Sequence, residues 1–256
     1  MPFLTLHNKL RCCYTLQGTG DPIVFIHPTG MGTVTFHYQQ ELAEHFSILT
    51  YDMRGNGFSQ ADNERISISL LARDLKQLLD ELGISSAVIC GYSNGGAIAQ
   101  EFVLHYPEMA KGLILVGGFS EVCTEWLQAE FLAGIYLTGF GGLPLLARGI
   151  SGAHAPERNY RVQLENSILR ADPYILYQMY RTTFHYHSTD RLDQISCPLL
   201  LIYGEKDTYI HSYEYLFRKY IPFAKTVYIS DAKHQIPTKF PYELNSIIKQ
   251  FTKTLT

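Results

Sequence analysis

The stretch Gly91-Tyr92-Ser93-Asn94-Gly95 lies between an apolar run, Ala87–Cys90, and a segment over Asn94–His105 with the pattern of a helix. A G-x-S-x-G pattern in this setting is typical of a strand that turns at once into a helix and holds its serine hydroxyl at the top of a sheet. Small residues on both sides relieve the crowding of this turn, and Gly96 adds room. The amide after Ser93 begins a helix, where free N–H groups favour an anion. We therefore expect Ser93 to be a nucleophile.

Apolar runs of strand length alternate with helical patterns along most of the chain. Two short strands are expected around His7-Asn8-Lys9, and leucines at helical spacing predict a helix over Ile68–Leu82. Further strands are predicted at Pro22–Ile26, Phe46–Tyr51, Ala87–Cys90, Gly112–Val116, Pro198–Tyr203 and Thr226–Ile229, with a final helix over Leu244–Phe251. This alternation indicates an α/β fold with a mostly parallel sheet that helices cover on both faces.

The alternation stops between Phe119 and Asp193, where no apolar strand run occurs. Helices are predicted over Glu125–Leu137 and Asp172–His185, the second because aspartate is a good N-cap and proline suits the first helical position. We predict that residues 119–193 form a helical cap, or lid, inserted after the sixth strand. It would cover the carboxyl edge of the sheet, where ligands bind in such folds. Residues 1–118 and 194–256 are predicted to form the core domain.

Four further motifs accompany the serine turn, in a fixed order along the chain. They are the loop Ile26-His27-Pro28-Thr29-Gly30, the loop Asp52-Met53-Arg54-Gly55-Asn56-Gly57-Phe58-Ser59, the turn Gly204-Glu205-Lys206-Asp207, and His234 followed by Pro237. Together they resemble the α/β-hydrolase superfamily, in its esterase and haloperoxidase-like branch with a helical cap. The resemblance covers essentially the whole chain, least in 119–193, and implies an eight-stranded α/β-hydrolase sheet flanked by helices.

The resemblance implies a catalytic triad of Ser93, Asp207 and His234, in the chain order usual for this fold. The histidine takes the serine proton and passes it to the leaving group. The aspartate fixes the imidazole tautomer and stabilises the imidazolium. Asp231, three residues before the histidine, is a competing acid, and Glu121 is a weaker competitor.

The backbone N–H groups of Thr29 and Asn94 are the expected donors of the oxyanion hole. Two residues depart from the family pattern. Pro28 replaces the usual glycine of the oxyanion loop, but the expected donor is the next residue along. Lys233 replaces the usual glycine before His234, and it either alters the charge beside the histidine or points outward.

Substrate contacts are predicted from aromatic residues near the site and in the cap. The predicted contacts are Tyr92, His27, Trp126, Tyr177 and Tyr180, although His27 also fits a role in loop packing. A lining of apolar and phenol groups favours a small or medium apolar acyl or aryl ester. Six arginines of the cap fit solvated helix faces, although one facing inward could bind a substrate carboxylate: Arg148, Arg158, Arg161, Arg170, Arg181 and Arg191.

The composition excludes several classes of protein. The net charge is −3 and no basic cluster occurs, which argues against nucleic-acid binding and against a polybasic membrane contact. We expect no signal peptide and no membrane insertion, since the N-terminal residues lack that pattern and no apolar run is long enough. The five cysteines form no C-x-x-C pair and are expected to be reduced thiols of a cytoplasmic protein. No P-loop, dinucleotide fingerprint or metal-ligand cluster is present, so neither a cofactor nor a metal is expected.

These observations predict a cofactor-free serine hydrolase that cleaves a carboxylic ester, lactone or thioester of a small apolar substrate. In the family it resembles, dehalogenases and epoxide hydrolases use aspartate at position 93, so serine there disfavours those reactions. Two alternatives stay open. One is a ligand-sensing receptor on a hydrolase scaffold with slow turnover. The other is a lyase, carbon–carbon bond hydrolase or perhydrolase that uses the same triad. The oligomeric state is not set by the sequence.

Overall fold

The computed structural model describes residues 2–7, 9–155 and 157–255. Its sheet has the strand order β1-β2-β4-β3-β5-β6-β7-β8 in the described residues; β2 runs antiparallel to β1 and β4, and the other neighbours are parallel. The strands are β1 Phe3–Thr5, β2 Arg11–Gln17, β3 Pro22–Ile26, β4 Ser47–Tyr51, β5 Ala87–Tyr92, β6 Ala110–Val116, β7 Leu199–Gly204 and β8 Lys225–Ile229. The predicted mostly parallel, eight-stranded sheet is confirmed. Asn8, in the predicted first turn, lies outside the described residues.

Helices lie on both faces of the sheet and between β6 and β7. They are α1 Ile68–Glu81, α2 Gly95–His105, α3 Glu125–Gly139, α4 Leu143–His154, α5 Arg158–Arg170, α6 Pro173–Phe184, α7 Ser212–Tyr220, α8 Ile236–Lys239 and α9 Pro241–Thr252. Short 3-10 helices occupy Thr33–Phe36, Tyr38–Glu44, Pro107–Met109 and Thr189–Gln194. None of the helices in the described part of the chain has the length and apolar character needed to cross a bilayer.

The core consists of two apolar layers, one on each face of the sheet. Strands β5 and β7 are buried along their whole length, because helices cover both of their faces. One layer packs the leucines of α1 and the apolar side of α2 against the sheet, and the other packs α9 against β3 and β6. Helix α1 starts where predicted, since the Ser67 side chain accepts the N–H of Leu70 at 3.0 Å.

In the described residues between β6 and β7 there are four α-helices and the 3-10 helix Thr189–Gln194, whereas the sequence predicted two helices. Helix α6 begins as predicted, because the Asp172 carboxylate accepts the N–H groups of Tyr174 and Ile175 at 2.9 and 3.0 Å. Helices α4 and α5 were not predicted. Helix α4 contains two internal glycines, Gly149 and Gly152, which disfavour a helix, and α5 is rich in polar residues and has no clear apolar stripe. The division into core and cap domains, and a lid function for 119–193, stay predictions.

The two ends of the 119–193 segment meet in a short neck. The N–H of Ser188 donates to the carbonyl of Ser120 at 3.0 Å, and Glu121 and His187 form an isolated antiparallel bridge. The His187 Nε2 atom also lies 2.8 Å from the Glu121 carboxylate. The segment therefore leaves and re-enters the core at one place.

A buried carboxylate ties the end of this segment to the core. Glu101 of α2 accepts hydrogen bonds from Ser69 at 2.6 Å, from Tyr186 at 3.1 Å and from Arg191 at 3.0 Å. Burial acts to raise the pKa of Glu101, but the hydrogen bonds and the arginine charge outweigh it and lower that pKa below its ordinary value. Glu101 therefore stays ionised at neutral pH and holds both Tyr186 and Arg191 against α2.

Candidate active site

Ser93 occupies a strained turn between β5 and α2. Its φ is +52°, a left-handed conformation that costs a residue with a side chain about 1–3 kcal/mol. The flanking glycines are required by space: a Cβ on Gly95 would lie 2.4 Å from the carbonyl oxygen of Ile26, and one on Gly91 would lie 2.6 Å from the Cα of Gly96. The turn is held by the Ser93 N–H, which donates to the carbonyl of Val116 at 2.8 Å.

Ser93, His234 and Asp207 form a continuous chain of hydrogen bonds. The Ser93 Oγ atom lies 2.8 Å from His234 Nε2, and His234 Nδ1 lies 2.7 Å from Asp207 Oδ2. Both His234 and Asp207 are buried. Burial alone would lower the pKa of His234, but the hydrogen bond to Asp207 and the negative charges of Asp207 and Glu130 raise it above its ordinary value. The structure therefore brings the three predicted residues together with the histidine between the other two.

The competing acids lie elsewhere. Asp231 is exposed, and its carboxylate contacts the ammonium group of Lys206. Glu121 pairs with His187 in the neck. Lys233 is exposed, so it points outward, away from the triad.

Thr29 and Asn94, the predicted oxyanion donors, contact each other through a reciprocal pair of hydrogen bonds. The Thr29 N–H donates to Asn94 Oδ1 at 2.9 Å, and Asn94 Nδ2 donates to Thr29 Oγ1 at 2.8 Å. The Asn94 N–H has no acceptor among the described residues. One predicted donor is thus unpaired, and the other is paired with the Asn94 side chain, which an arriving oxyanion would have to displace or share.

His27 supports the oxyanion loop and does not line the cavity. Its ring is fully buried; Nε2 accepts the N–H of Met53 at 3.0 Å, and Nδ1 lies 2.7 Å from the carbonyl oxygen of Pro28 and 3.2 Å from the backbone nitrogen of Gly32. Burial lowers the pKa of His27 and keeps the ring neutral. The prediction of a substrate contact for His27 is not supported, because its ring is enclosed between two loops.

The loop after β4 holds the oxyanion loop in place. The Asp52 carboxylate accepts the N–H of Thr33 at 2.7 Å, and Asn56 Oδ1 accepts the N–H of Gly30 at 2.7 Å. Arg54 is fully buried, and its guanidinium forms two hydrogen bonds to Asp74, of 2.7 and 2.8 Å. The motif over 52–59 therefore has a structural role beside the site.

A small cavity of about 70 Å³ opens beside Ser93. It is lined by Pro28, Thr29, Met31, Tyr92, Ser93, Asn94, Glu130, Phe131, Ile150, His154, Tyr180 and His234. Of the predicted substrate contacts, Tyr92 and Tyr180 line it. The Tyr92 hydroxyl donates to the carbonyl of His234 at 3.0 Å, so it also fixes the loop that carries the histidine.

Two predicted contacts of the cap lie outside the cavity. The side chain of Trp126 lies on the first turn of α3 and is 77% exposed. Tyr177 lies beside Gly139, and its hydroxyl faces Arg181 on the surface. Helix periodicity turns both side chains away from Ser93, so these two predictions are corrected.

Among the described residues, the cavity wall apart from Ser93 and His234 carries a single ionisable carboxylate. Glu130 lines the cavity, whereas no arginine or lysine is among its lining residues in the described structure. Arg191 is paired with Glu101 instead. Elsewhere in residues 2–7, 9–155 and 157–255, no three His, Cys, Asp or Glu side chains are grouped so that they could hold a metal ion.

The sequence and the fold are both similar to those of known proteins. A family model described as the alpha/beta hydrolase fold matches residues 21–149, half of the chain. The chain belongs to the α/β-hydrolase fold family. The matched region includes the serine turn and both loops that support it.

The names of individual relatives describe different activities. A 3-oxoadipate enol-lactonase of Acinetobacter baylyi is 30% identical over 112 residues, which are 43% of this chain and 42% of the relative. An epoxide hydrolase of Mus musculus is 24% identical over 93% of this chain and 72% of its own. A bromoperoxidase structure from Bacillus anthracis has a TM-score of 0.88 at 21% identity, covering 98% of this chain and 100% of that one. Several curated relatives align over only 34% to 42% of their own length.

Within this hydrolase-fold protein, sequence reasoning missed part of the cavity wall. Glu130, Phe131, Ile150 and His154 all come from α3 and α4 and line the cavity. Phe131 had a visible signal, since it is one of the aromatic residues of the cap. His154 had none, because its helix was not predicted and it is one of ten histidines.

Proposed function

We propose that this protein is a serine hydrolase that cleaves a small carboxylic ester, lactone or thioester through an acyl-enzyme on Ser93. The observation that carries the proposal is the hydrogen-bonded chain from Ser93 through His234 to Asp207, which ends at the wall of a cavity. A serine hydroxyl is a weak nucleophile unless a neighbouring base takes its proton, and this geometry supplies that base. The proposal needs no cofactor.

In the first half of the reaction, the Ser93 oxygen attacks the substrate carbonyl while its proton moves to His234 Nε2. Asp207 stabilises the resulting imidazolium through Nδ1. The carbonyl oxygen gains negative charge beside the Asn94 N–H, which is unpaired, and beside the Thr29 N–H once the Asn94 side chain yields. His234 then gives the proton to the leaving group as the bond to the acyl carbon breaks.

In the second half, water attacks the acyl-enzyme with His234 again as base, and the Ser93 oxygen leaves with the proton that His234 returns. The products are a carboxylic acid and free enzyme. The cavity of about 70 Å³ favours a short acyl group over a long one. The name of one relative, a 3-oxoadipate enol-lactonase, supports the inclusion of lactones in the proposal.

The test is fluorophosphonate labelling with intact-mass measurement, together with hydrolysis of short 4-nitrophenyl esters. We expect one adduct on the wild type, none on Ser93→Ala and much slower labelling of His234→Ala. Loss of the serine should lower kcat by about 10⁴-fold or more. Ser196→Ala, at an exposed serine far from the cavity, is the matched control and should react like the wild type.

A folded wild type that neither labels nor hydrolyses any ester would overturn the proposal. Release of one equivalent of product without further turnover would favour the receptor alternative. Labelling without ester hydrolysis would favour a different reaction on the same three residues.

A further inference from the structure

Glu130 of α3 adds a carboxylate to the cavity beside the proposed nucleophile. The buried side of α3 includes Leu127 and Phe131, which are four residues apart and so lie on one face of the helix. Glu130 precedes Phe131 by one residue, so it lies at the edge of that buried face and is exposed to solvent. It also lines the cavity that opens beside Ser93. The reaction proposed above makes no use of this carboxylate.

Several interactions locate the carboxylate near His234. The Tyr209 hydroxyl donates to Glu130 Oε2 at 3.4 Å, and the centroid of the Tyr209 ring lies 6.1 Å from that of His234. Burial lowers the pKa of His234, and the negative charge of Glu130 adds to the effect of Asp207 in raising it. Burial raises the pKa of the Tyr180 hydroxyl, and the charge of Glu130 raises it further. Glu130 therefore acts electrostatically on two residues of the cavity wall, His234 and Tyr180.

No cation of the described residues neutralises Glu130. Neither a lysine nor an arginine in residues 2–7, 9–155 and 157–255 forms an ion pair with it, and none lines the cavity there. The positive charge that His234 gains during the proposed reaction is balanced by Asp207, 2.7 Å away. An exposed glutamate is negatively charged in neutral water. The carboxylate of Glu130 is thus left to interact with the charge of a substrate.

The remaining residues of the wall do not oppose this charge. Many of them are apolar, Met31 and Ile150 among them. His154 is a second imidazole at the wall, but burial and the positive charges of His234 and Lys239 lower its pKa to about 3, so it is neutral at neutral pH. A substrate carboxylate would therefore meet a like charge and no counter-ion, whereas an ammonium group would meet an opposite charge.

We propose that Glu130 is a specificity-determining residue that favours small esters carrying an ammonium group and disfavours those carrying a carboxylate. It acts through the charge of its own carboxylate at the cavity wall, and it transfers no proton. The inference rests on the proposed hydrolase function, because it concerns the ester that Ser93 would attack.

The test compares esters of similar shape and different charge. In the acyl series, β-alanine ethyl ester, ethyl butanoate and monoethyl succinate are cationic, neutral and anionic. In the alcohol series, the cationic, neutral and anionic members are acetylcholine, 3,3-dimethylbutyl acetate and 2-sulfoethyl acetate. Acid release at neutral pH gives kcat/KM for each ester. The ratio of the cationic to the neutral ester is then compared between variants, so that the intrinsic reactivity of the esters cancels.

The expected result is a change of this ratio that follows the charge at position 130. In at least one series, the ratio should be about 5- to 30-fold higher in the wild type than in Glu130→Gln. Glu130→Lys should lower it further and should raise the ratio of the anionic to the neutral ester. Glu130→Asp, which keeps the charge, should retain most of the wild-type selectivity.

Two further measurements separate failure of this inference from failure of the hydrolase proposal. Fluorophosphonate labelling of Ser93 in each variant shows that the variant is folded with its nucleophile active. Glu125→Gln, at an exposed glutamate of α3 that does not line the cavity, is the matched control and should keep the wild-type ratios.

Equal ratios in the wild type and Glu130→Gln, or an equal loss in Glu125→Gln, would overturn the inference. If the wild type still labels and hydrolyses the neutral esters, the hydrolase proposal then stands. A wild type that neither labels nor hydrolyses any of the esters removes both.

Discussion

Asp207 and Asp231 are the two aspartates that the sequence offers as partners of His234, yet their surroundings differ. Asp207 is buried with its carboxylate 2.7 Å from the imidazole, whereas Asp231 is exposed beside Lys206. We expect Asp207→Asn to lower kcat by about 10⁴-fold, because the amide no longer holds the right tautomer or stabilises the imidazolium. Asp231→Asn should leave kcat within about twofold. Steady-state kinetics on both variants measure this difference, and equal losses would refute the assignment of Asp207.

The pH profile gives the same prediction a second readout. His234 must be neutral to take the serine proton, and its pKa is raised above 6.5 by Asp207. In the wild type, kcat/KM should therefore rise with pH through an apparent pKa above 6.5 and be lost below it. Removing the negative charge in Asp207→Asn should move that apparent pKa downward. A profile unchanged by the substitution would contradict a charge interaction between the two residues.

At the scale of single residues, the sequence predicted which groups meet but not how each is paired. The motif order predicted that Ser93, Asp207 and His234 meet, because their turns follow the carboxyl ends of β5, β7 and β8, which are parallel strands of one sheet. The pairing of Thr29 with Asn94 depends on a side-chain rotamer, which a motif does not encode. His27 was ambiguous for the same reason, since only the fold shows that its ring is enclosed.

At the scale of elements, the turn between β5 and α2 depends on the absence of a side chain at Gly95. A Cβ there would lie 2.4 Å from the backbone oxygen of Ile26, which cannot move aside without shifting β3. We expect Gly95→Ala to lower the free energy of unfolding by about 1–3 kcal/mol and to lower kcat, since Ser93 is displaced with the turn. Urea denaturation and ester hydrolysis measure the two effects.

Helix α4 offers the matched control for this substitution. Gly149 lies in the helix interior with nothing within 4 Å of an added Cβ. Gly149→Ala should raise the free energy of unfolding by about 0.5–1 kcal/mol, because alanine loses less conformational freedom in a helix. Destabilisation by both substitutions would argue against a specific steric role for Gly95.

Elements with strong periodicity were predictable, and those held by tertiary contacts were not. Helix α1 has leucines at helical spacing, a serine N-cap and a glycine after its end, so its limits follow from local chemistry. Helices α4 and α5 pack mainly on each other and leave much of their surface exposed, so their sequences need only a narrow apolar contact. The glycines of α4 and the polar composition of α5 also disfavour a helix prediction from the sequence.

For the molecule as a whole, Glu101 and Arg191 determine how firmly the 119–193 segment is attached. Arg191→Met should lower the free energy of unfolding by about 1–3 kcal/mol, because the buried Glu101 carboxylate loses a charged donor. Arg218→Met removes an exposed pair with Glu214 and should cost less than about 1 kcal/mol. Thermal or urea unfolding of both variants tests the difference, and similar small losses would show that Glu101 does not anchor the segment.

The neck at Ser120 and Ser188 has a consequence for how this protein could acquire new specificities. The residues proposed to act in catalysis lie outside residues 119–193, whereas five residues of the cavity wall lie inside them: Glu130, Phe131, Ile150, His154 and Tyr180. Because the two ends of the segment are joined by a hydrogen bond, a different helical segment can be grafted at this junction without lengthening or bending the strands beside it. Evolution or protein design can thus exchange the cavity-lining residues of this segment together, without changing Ser93, His234 or Asp207.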